Sequence, residues 1–240
     1  METNAVRFIN AYNQIDQSLR AIYNFKRNIT FSDMIRRAVS LNSVVRKYED
    51  KLIDYARLRN AIIHNSNEDK IIAEPHDEVV EIMEKIAGLI SQPPLALETV
   101  ATKNVLVLDG NTSIKSALET IYKTGYKTIP VFENEVIMGV ITASRIANVL
   151  GAQIEKGRNI EEFASFTDVR SVISEQDAGL IFTICSRELS VQEALDLFFH
   201  NRKLLAIIIT KNGNNLERPL GIITAADIMD LNKVVDDYDV

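Results

Sequence analysis

Apolar side chains in the N-terminal third of the chain recur at intervals of three and four positions. The first stripe consists of Phe8, Tyr12, Ile15, Leu19 and Ile22. Because an α-helix completes a turn in about 3.6 residues, this spacing places the stripe on one face of a helix. The chain therefore begins with a predicted amphipathic helix that buries one side and exposes the other.

Three more helices are predicted before residue 91. Thr30–Asp33 offers N-cap residues for a short helix through Val39, since side-chain oxygens there accept free amide hydrogens. A third helix ends at Asn65–Asn67, and a fourth opens at Glu74-Pro75, where proline suits a first turn. Four helices with short links predict a small antiparallel bundle over residues 1–91. The inward positions of the last two helices are Val45, Tyr48, Leu52, Tyr55 or Ala56, Arg59 and Ile62 or Ile63, then Val79, Ile82 or Met83, Ile86 and Leu89 or Ile90.

The pattern changes at Gln92-Pro93-Pro94. Two prolines disfavour helix and stiffen the connection, so this segment is the predicted domain boundary. Beyond it, short β-branched stretches alternate with short amphipathic ones, which is typical of an α/β module. The second domain is predicted to cover residues 92–240, with halves at about 92–152 and 165–235.

This second domain contains an internal repeat. Gly139–Arg145 reads GVITASR, and Gly221–Asp227 reads GIITAAD. An internal repeat determines the architecture, because each copy must fold into a similar unit. Two related α/β halves are therefore predicted. The preceding segments also correspond, TSIKSAL at 112–118 with LSVQEAL at 189–195, and IPVF at 129–132 with AIII at 206–209.

The repeated string has the chemistry of a nucleotide site. In the second copy an apolar strand ends at Thr224, and a helix begins directly after it. Amides at the start of a helix, with a threonine hydroxyl, suit a phosphate, and a carboxylate at Asp227 can accept both hydroxyls of a ribose. The alternative is that Asp227 only caps the first turn, because such a box is common at helix starts.

The first copy differs at the acidic position. It keeps Thr142 but has Arg145 where the second copy has Asp227. A guanidinium cannot accept ribose hydrogen bonds, although it can bind a phosphate. The first cleft is therefore expected to be vacant or to share the polyphosphate of the same ligand. Lys127 and Lys203 precede equivalent strands and could face phosphates, or could simply lie on the solvated surface.

On these repeated motifs, residues 92–235 resemble a tandem pair of CBS domains, also called a Bateman module. Together with the predicted N-terminal four-helix bundle, the resemblance implies an α+β multidomain chain whose two α/β CBS repeats pack as a pseudo-twofold pair. It also implies a regulatory ligand, an adenine nucleotide (AMP, ADP or ATP) or S-adenosylmethionine. The implied binding residues are Thr224, Asp227, Thr142, Arg145, Lys127 and Lys203.

The third helix carries a second candidate site. Arg59 falls on the apolar stripe, where a cation needs a partner, and Asp16 or Asp54 could provide one. His64 is five residues further on, about 140° around the helix axis, so the two side chains share no face of an ideal helix. Asn60 does share the face of His64.

The string RNAIIH at Arg59–His64 resembles the R-x4-H motif of HEPN domains, many of which are metal-independent ribonucleases that act as dimers. The resemblance implies a homodimer with RNA as substrate, in which His64 assists proton transfer, Arg59 stabilises the phosphorane and Asn60 orients the phosphate or His64. Nucleotide bound to the CBS pair would gate this activity. The alternatives are a non-catalytic regulatory or scaffold protein, and a helical domain that only dimerises.

The composition of the chain bears on three further questions, which are DNA binding, cellular location and metal binding. The formal net charge of −6 argues against stable DNA binding through bulk electrostatics. The N-terminus lacks the basic and apolar regions of a signal peptide, and no apolar run is long enough to span a bilayer, so a cytoplasmic protein is expected. One cysteine and three scattered histidines show no metal-ligand spacing, and no metal is expected.

Overall fold

The structure, a computed structural model, describes residues 2–64, 73–173 and 180–237, but not the side chain of His64. The chain forms two compact units. The helical unit contains residues 1–94, 190–196 and 231–240, and the sheet unit contains residues 95–189 and 197–230. The predicted domain bounds, 1–91 and 92–240, stay a prediction.

Four helices build the first part of the helical unit. They are α1 (Asn4–Tyr23), α2 (Phe31–Ala38), α3 (Ser43–His64) and α4 (Asp77–Ser91). Helix α1 packs against the other three, and α3 also packs against α2 and α4. The four predicted helices are therefore present, whereas their arrangement as an antiparallel bundle stays a prediction.

Local capping explains where α1 and α2 begin. The Thr3 hydroxyl accepts from the Val6 amide, and the Thr30 hydroxyl accepts from the Asp33 amide at 3.2 Å. Each bond satisfies an amide that has no partner inside its own helix. The predicted N-cap of the second helix is confirmed at Thr30.

Most of the predicted stripe of α1 is buried, Tyr12 is half-buried, and the end of the stripe is exposed. Phe8, Ile15 and Leu19 are fully buried, whereas Ile22 is 51% exposed, because the chain leaves the helix at a left-handed residue, Asn24. The predicted start of the fourth helix at Glu74-Pro75 is wrong. His76 is the N-cap, and the Pro75 carbonyl accepts from the Asn4 side chain at 3.1 Å, which keeps the preceding segment extended. The predicted stop at Asn65–Asn67 lies outside the described residues.

The helical unit also includes the first part of the later helix Val191–His200 and most of the helix Ile228–Asp236. Within it, Asp196 accepts hydrogen bonds from the Ser43 amide at 3.2 Å and from the Arg46 guanidinium at 2.9 Å. Asp236 pairs with Lys47, and its carbonyl accepts from Lys85. Burial, and then the charge of Lys85, lower the pKa of Lys47. Asp236 is therefore held to the helical unit through its side chain and its carbonyl.

The sheet unit repeats one order of elements. Its elements are α5 (Ala96–Thr99), β1 (Thr102–Lys103), β2 (Leu108–Asp109), α6 (Ile114–Thr124), β3 (Thr128–Glu133), β4 (Val136–Thr142), α7 (Ala143–Glu155), α8 (Ile160–Phe166), β5 (Phe182–Ser186), α9 (Val191–His200), β6 (Ala206–Thr210), β7 (Gly221–Thr224) and α10 (Ile228–Asp236), with 3-10 turns at Val169–Val172 and Ala225–Asp227. The first copy has strand β2, helix α6, strands β3 and β4, and helix α7. The second has β5, α9, β6, β7 and α10 in the same order.

Pairing is equivalent in the two copies. Strand β2 is parallel to β3, and β3 is antiparallel to β4, just as β5 is parallel to β6 and β6 is antiparallel to β7. The first sheet has the order β2-β3-β4, and the second has the order β1-β7-β6-β5. The predicted duplication of an α/β unit is confirmed.

Strand β1 crosses from one copy to the other. It precedes the first copy along the chain, yet it pairs antiparallel with β7, placing Thr102 opposite Ile222 and Lys103 opposite Gly221. The residues of β1 therefore meet the beginning of β7, where the repeated motif also begins. Packing of the copies about a pseudo-twofold axis stays a prediction.

The sheet unit has two apolar clusters on opposite sides of β4. Ile141 belongs to the first, and Ile137 and Val140 belong to the second. Both faces of this strand are covered, which explains why its sequence is almost continuously apolar. Among residues 2–64, 73–173 and 180–237, no helix combines the length and hydropathy that a bilayer crossing needs.

Candidate functional site

A cavity of about 450 Å³ lies where the loop before β3 meets the end of β7. Its volume is within the range of small-molecule sites. Most of its wall is apolar, and its polar groups come from the ends of strands. It is lined by Thr102, Val105, Leu106, Gly125, Tyr126, Lys127, Thr128, Ile129, Pro130, Leu205, Ile222, Thr224, Ala225, Ala226 and Asp227.

Two hydrogen bonds fix the orientation of Asp227 in this cavity. The Thr224 amide donates to Asp227 Oδ2 at 2.7 Å, and the Thr224 hydroxyl donates to the same oxygen at 2.9 Å. Asp227 Oδ1 accepts from none of the described residues. One carboxylate oxygen therefore orients the side chain, and the other retains two acceptor positions.

Both interpretations of the motif from sequence, a ribose site and a helix-start cap, are consistent with this geometry. Thr224 and Asp227 form the helix-start contact that the simpler reading required. The same contact leaves a half-buried carboxylate at a cavity wall, as a ribose site requires. The Thr224 hydroxyl directs its hydrogen at Asp227, so in this arrangement it orients the carboxylate and is not directed at a phosphate.

The equivalent residues of the first copy are arranged differently. The Thr142 hydroxyl accepts from the Arg145 amide at 3.1 Å, which makes it an N-cap of α7. No carboxylate stands at position 145 to receive the threonine hydroxyl. Thr142, Arg145 and Lys203 are not among the residues that line the cavity beside Asp227.

Lys127 does line that cavity. Its side chain is exposed and makes no ion pair with the described residues. Its backbone is held where β3 begins, because its carbonyl accepts from the Ala143 amide at 3.0 Å. Of the predicted binding residues, the structure thus brings Lys127, Thr224 and Asp227 to one cavity.

Sequence reasoning missed the apolar part of the cavity. Val105 and Leu106 follow β1 in the run VLVL, and Leu205 precedes β6. Nothing in their local pattern distinguishes them from core residues. Val105 and Leu106 become lining residues because β1, which they follow, pairs with β7 in a long-range contact.

The second candidate site lies on α3. The Arg59 guanidinium stands over the Tyr12 ring, with its Cζ 5.4 Å from the ring centroid. Its Nε is buried and has no hydrogen-bond partner, and its Nη1 is 3.4 Å from the Asn60 side-chain oxygen. Tyr12 in turn stacks on Phe31, with the ring centroids 4.2 Å apart.

The predicted carboxylate partners of Arg59 are engaged elsewhere. Asp16 pairs with Arg20 at 2.7 Å, and Asp54 pairs with Arg57 at 2.8 Å. Each pair joins residues three or four positions apart on one helix, where side chains on neighbouring turns already lie close together. The prediction that either carboxylate neutralises Arg59 is wrong, and an aromatic face takes that place.

The environment of Arg59 is apolar enough to raise the pKa of the neighbouring Tyr12. Burial raises the pKa of Tyr12 to about 12, and the charge of Arg59 opposes that rise. Asn60 is exposed at the same end of α3. His64 is the last residue of this helix, but its side chain lies outside the described residues, so its convergence with Arg59 stays a prediction.

One family model matches the chain. It is described as CBS domain, and it matches residues 97–152 and 181–233. The two matched segments correspond to the two copies of the repeated unit. No curated protein matches the sequence.

Several solved structures are similar to part of the chain. The CBS domain of a membrane protein from Sphaerobacter thermophilus is 15% identical, with a TM-score of 0.44, and covers 58% of this chain and 88% of that one. CBSX2 in complex with AMP is 14% identical, with a TM-score of 0.45 over 60% of this chain and 98% of that one. The CBS domain of a bacterial CNNM/CorC family Mg²⁺ transporter in complex with ATP is 18% identical, with a TM-score of 0.45 over 65% and 96%.

Proposed function

We propose that this protein, which carries a tandem pair of CBS domains at residues 97–152 and 181–233, senses an adenine nucleotide in the cavity beside Asp227. The observation that carries the proposal is the half-engaged carboxylate. Asp227 is held in place through Oδ2, its Oδ1 accepts from none of the described residues, and the residue lines a cavity of about 450 Å³. The protein would be regulatory, with the ligand as its signal.

Each part of such a ligand has a matching surface. The ribose hydroxyls would donate to Asp227 Oδ1, since a carboxylate oxygen accepts two hydrogen bonds. The adenine ring would lie against Val105, Leu106 and Ile222, because a flat apolar ring gains from leaving water. A ligand with esterified ribose hydroxyls would lose the contact with Asp227.

The test is thermal melting of the full-length protein with AMP, ADP, ATP and S-adenosylmethionine. A ligand at 100 times its Kd should raise the free energy of unfolding by about 2.7 kcal/mol, because it binds only the folded state. Asp227→Ala should remove the shift. Asp230→Ala, a carboxylate on α10 that does not line the cavity, should keep it. No shift with any of the four ligands would contradict the proposal.

We further propose that the ligand state gates the helical unit, and that this unit cleaves RNA as a homodimer. The observation that favours this activity is Arg59, whose Nε is buried without a partner and which has no carboxylate among the described residues. A cation held this way is stabilised by an incoming anion. The phosphorane of an RNA cleavage transition state is such an anion.

In this reaction the RNA 2′-hydroxyl oxygen attacks the adjacent phosphorus, and the bond to the 5′-oxygen of the next nucleotide breaks. His64 would accept the 2′-hydroxyl proton, and a second acid, such as the same residue of the other copy, would protonate the leaving oxygen. Asn60 would orient the phosphate or His64. The products are a 2′,3′-cyclic phosphate and a free 5′-hydroxyl.

The chain offers a matched pair of arginines for testing this activity. Arg57 lies on the same helix with its side chain 76% exposed and bound to Asp54. Cleavage of a single-stranded RNA should be lost in Arg59→Ala and in His64→Ala and kept in Arg57→Ala. Cleavage that persists in the first two purified variants would show that neither residue is catalytic. A melting shift without RNA turnover in any ligand state would instead favour the non-catalytic regulatory or scaffold protein.

A further inference from the structure

The Arg59 guanidinium is the outer layer of a stack of side chains from α3, α1 and α2. Its Cζ lies 5.4 Å from the centroid of the Tyr12 ring, within the distance at which an aromatic face attracts a cation. Tyr12 stacks on Phe31, with the ring centroids 4.2 Å apart and the ring planes inclined by 27°. The guanidinium is therefore held by helices other than its own.

Phe31, the innermost layer of this stack, is fixed by its own surroundings. It is buried, and it is the first residue of α2. The loop before it is held by Arg20, which donates to the carbonyls of Lys26 at 2.7 Å and Ile29 at 3.0 Å. Because both the loop and the helix start are fixed, Phe31 supports the Tyr12 ring at a defined place.

Arg20 also engages the carboxylate that follows Tyr12 by one turn of α1. Asp16 lies four positions after Tyr12, on the same helix face, and its two oxygens bind Arg20 at 2.7 and 2.9 Å. Among the described residues, Arg59 therefore has an aromatic partner and no carboxylate. An ionised carboxylate would cancel the positive charge of Arg59, whereas an aromatic ring attracts the cation without carrying a charge.

We infer that Tyr12 is a positioning residue of the proposed RNA-cleaving site, and that its ring fixes the place of the Arg59 guanidinium while leaving the positive charge available to the phosphorane. This inference rests on the proposed function, because it assumes that Arg59 stabilises the phosphorane. Tyr12 acts on the reaction only through Arg59. A guanidinium that is already in place when the negative charge develops stabilises the transition state without reorganising.

The first experiment is single-turnover cleavage of a single-stranded RNA by the full-length wild type, Tyr12→Phe and Tyr12→Leu. Tyr12→Phe keeps the ring and should stay within about twofold of the wild-type rate, whereas Tyr12→Leu should be about tenfold slower, the rate equivalent of one partly desolvated cation–π contact. The loss should fall on the rate of the bound RNA and not on its Kd, because the phosphorane exists only in the transition state.

Tyr48 provides the matched control. It is half-buried like Tyr12, and its ring also lies under a cation, the Lys47 ammonium, 5.6 Å from the ring centroid. It is on the same helix as Arg59 but about three turns away. Tyr48→Leu therefore removes a comparable contact that does not involve Arg59, and it should cleave RNA like the wild type.

Added guanidinium chloride separates a positioning role from a structural one. Arg59→Ala leaves space over the Tyr12 ring, and a free guanidinium ion at millimolar concentration should raise its cleavage rate about tenfold, with sodium chloride as the salt control. The same ion should raise the rate of Arg59→Ala/Tyr48→Leu and should not raise that of Arg59→Ala/Tyr12→Leu. A purely structural role of Tyr12 would give the same rescue in both double variants.

Far-UV spectra and melting curves establish that each variant is folded, and Tyr12→Met replaces Tyr12→Leu if the latter is not, because methionine fills irregular apolar space. Equal rate losses from Tyr12→Leu and Tyr48→Leu, or rescue that does not depend on Tyr12, would overturn the inference and leave the proposed cleavage standing. Absence of RNA cleavage by the wild type in every ligand state would remove the proposed activity together with the inference.

Discussion

Asp196→Ala is expected to lower the free energy of unfolding by about 1.5–3 kcal/mol, the usual contribution of a hydrogen bond to a charged group. The Asp196 side chain is 13% exposed and the Arg46 side chain 24% exposed, and their nearest charged atoms are 2.9 Å apart. Asp196 also accepts from the amide of Ser43, the first residue of α3. Its removal therefore leaves both a guanidinium and a helix-start amide less well satisfied.

Urea unfolding followed by far-UV circular dichroism measures this loss. Asp54→Ala is the matched control, because Asp54 and Arg57 form a pair of the same type with side chains 68% and 76% exposed. That exposed pair should contribute only about 0–1 kcal/mol. Similar losses from the two variants would mean that burial does not strengthen the Asp196 contact. Asp196→Asn, which keeps an acceptor for Ser43, should lose less than alanine does.

Gly221→Val is expected to cost about 1–3 kcal/mol of stability through overpacking, and to abolish nucleotide binding in the same protein. A Cβ at this position would lie 2.7 Å from Leu97 Cδ1 and 3.1 Å from Ala101 Cβ. Valine adds two further methyl groups to that clash. Gly221 pairs with Lys103 of β1, so the strand that supplies Thr102 to the cavity would be displaced.

Thermal melting with and without AMP measures both effects of Gly221→Val. Gly151→Ala is the control, since no atom lies within 4 Å of a Cβ at Gly151 in helix α7. Alanine there should stabilise the protein by about 0.5–1 kcal/mol, because glycine is a poor helix residue. A Gly221→Val protein that still gained the full AMP shift would show that the β1–β7 contact does not shape the ligand site.

Features that depend on neighbours along the chain could be predicted from the sequence. The N-cap at Thr30 and the Thr224–Asp227 contact each span three residues, so the local string already contains both partners. The duplicated α/β unit was likewise visible as matching strings. A wrong local prediction, the start of α4 at Glu74-Pro75, failed because a distant residue, Asn4, binds the Pro75 carbonyl.

Features that depend on distant neighbours could not be predicted. Lys127 and Lys203 stand at equivalent places in the repeat, yet only Lys127 lines the cavity with Asp227. The sequence placed Arg59 on an apolar stripe, but its contact with Tyr12 required the packing of α1 against α3. In both cases several residues have the same local sequence context. Tertiary packing then determines which of them makes the contact.

The sequence by itself therefore determined the helical N-terminal region, the repeated α/β unit and the residues of its nucleotide-like motif, because periodicity and capping act over a few residues. Only the tertiary structure decided the pairing of β1 with β7 and the apolar wall of the cavity. It also decided that, among the described residues, Arg59 lies over the Tyr12 ring and not beside a carboxylate. These contacts join residues far apart in the chain. Their free energy comes from burial and pairing across elements, which no local pattern records.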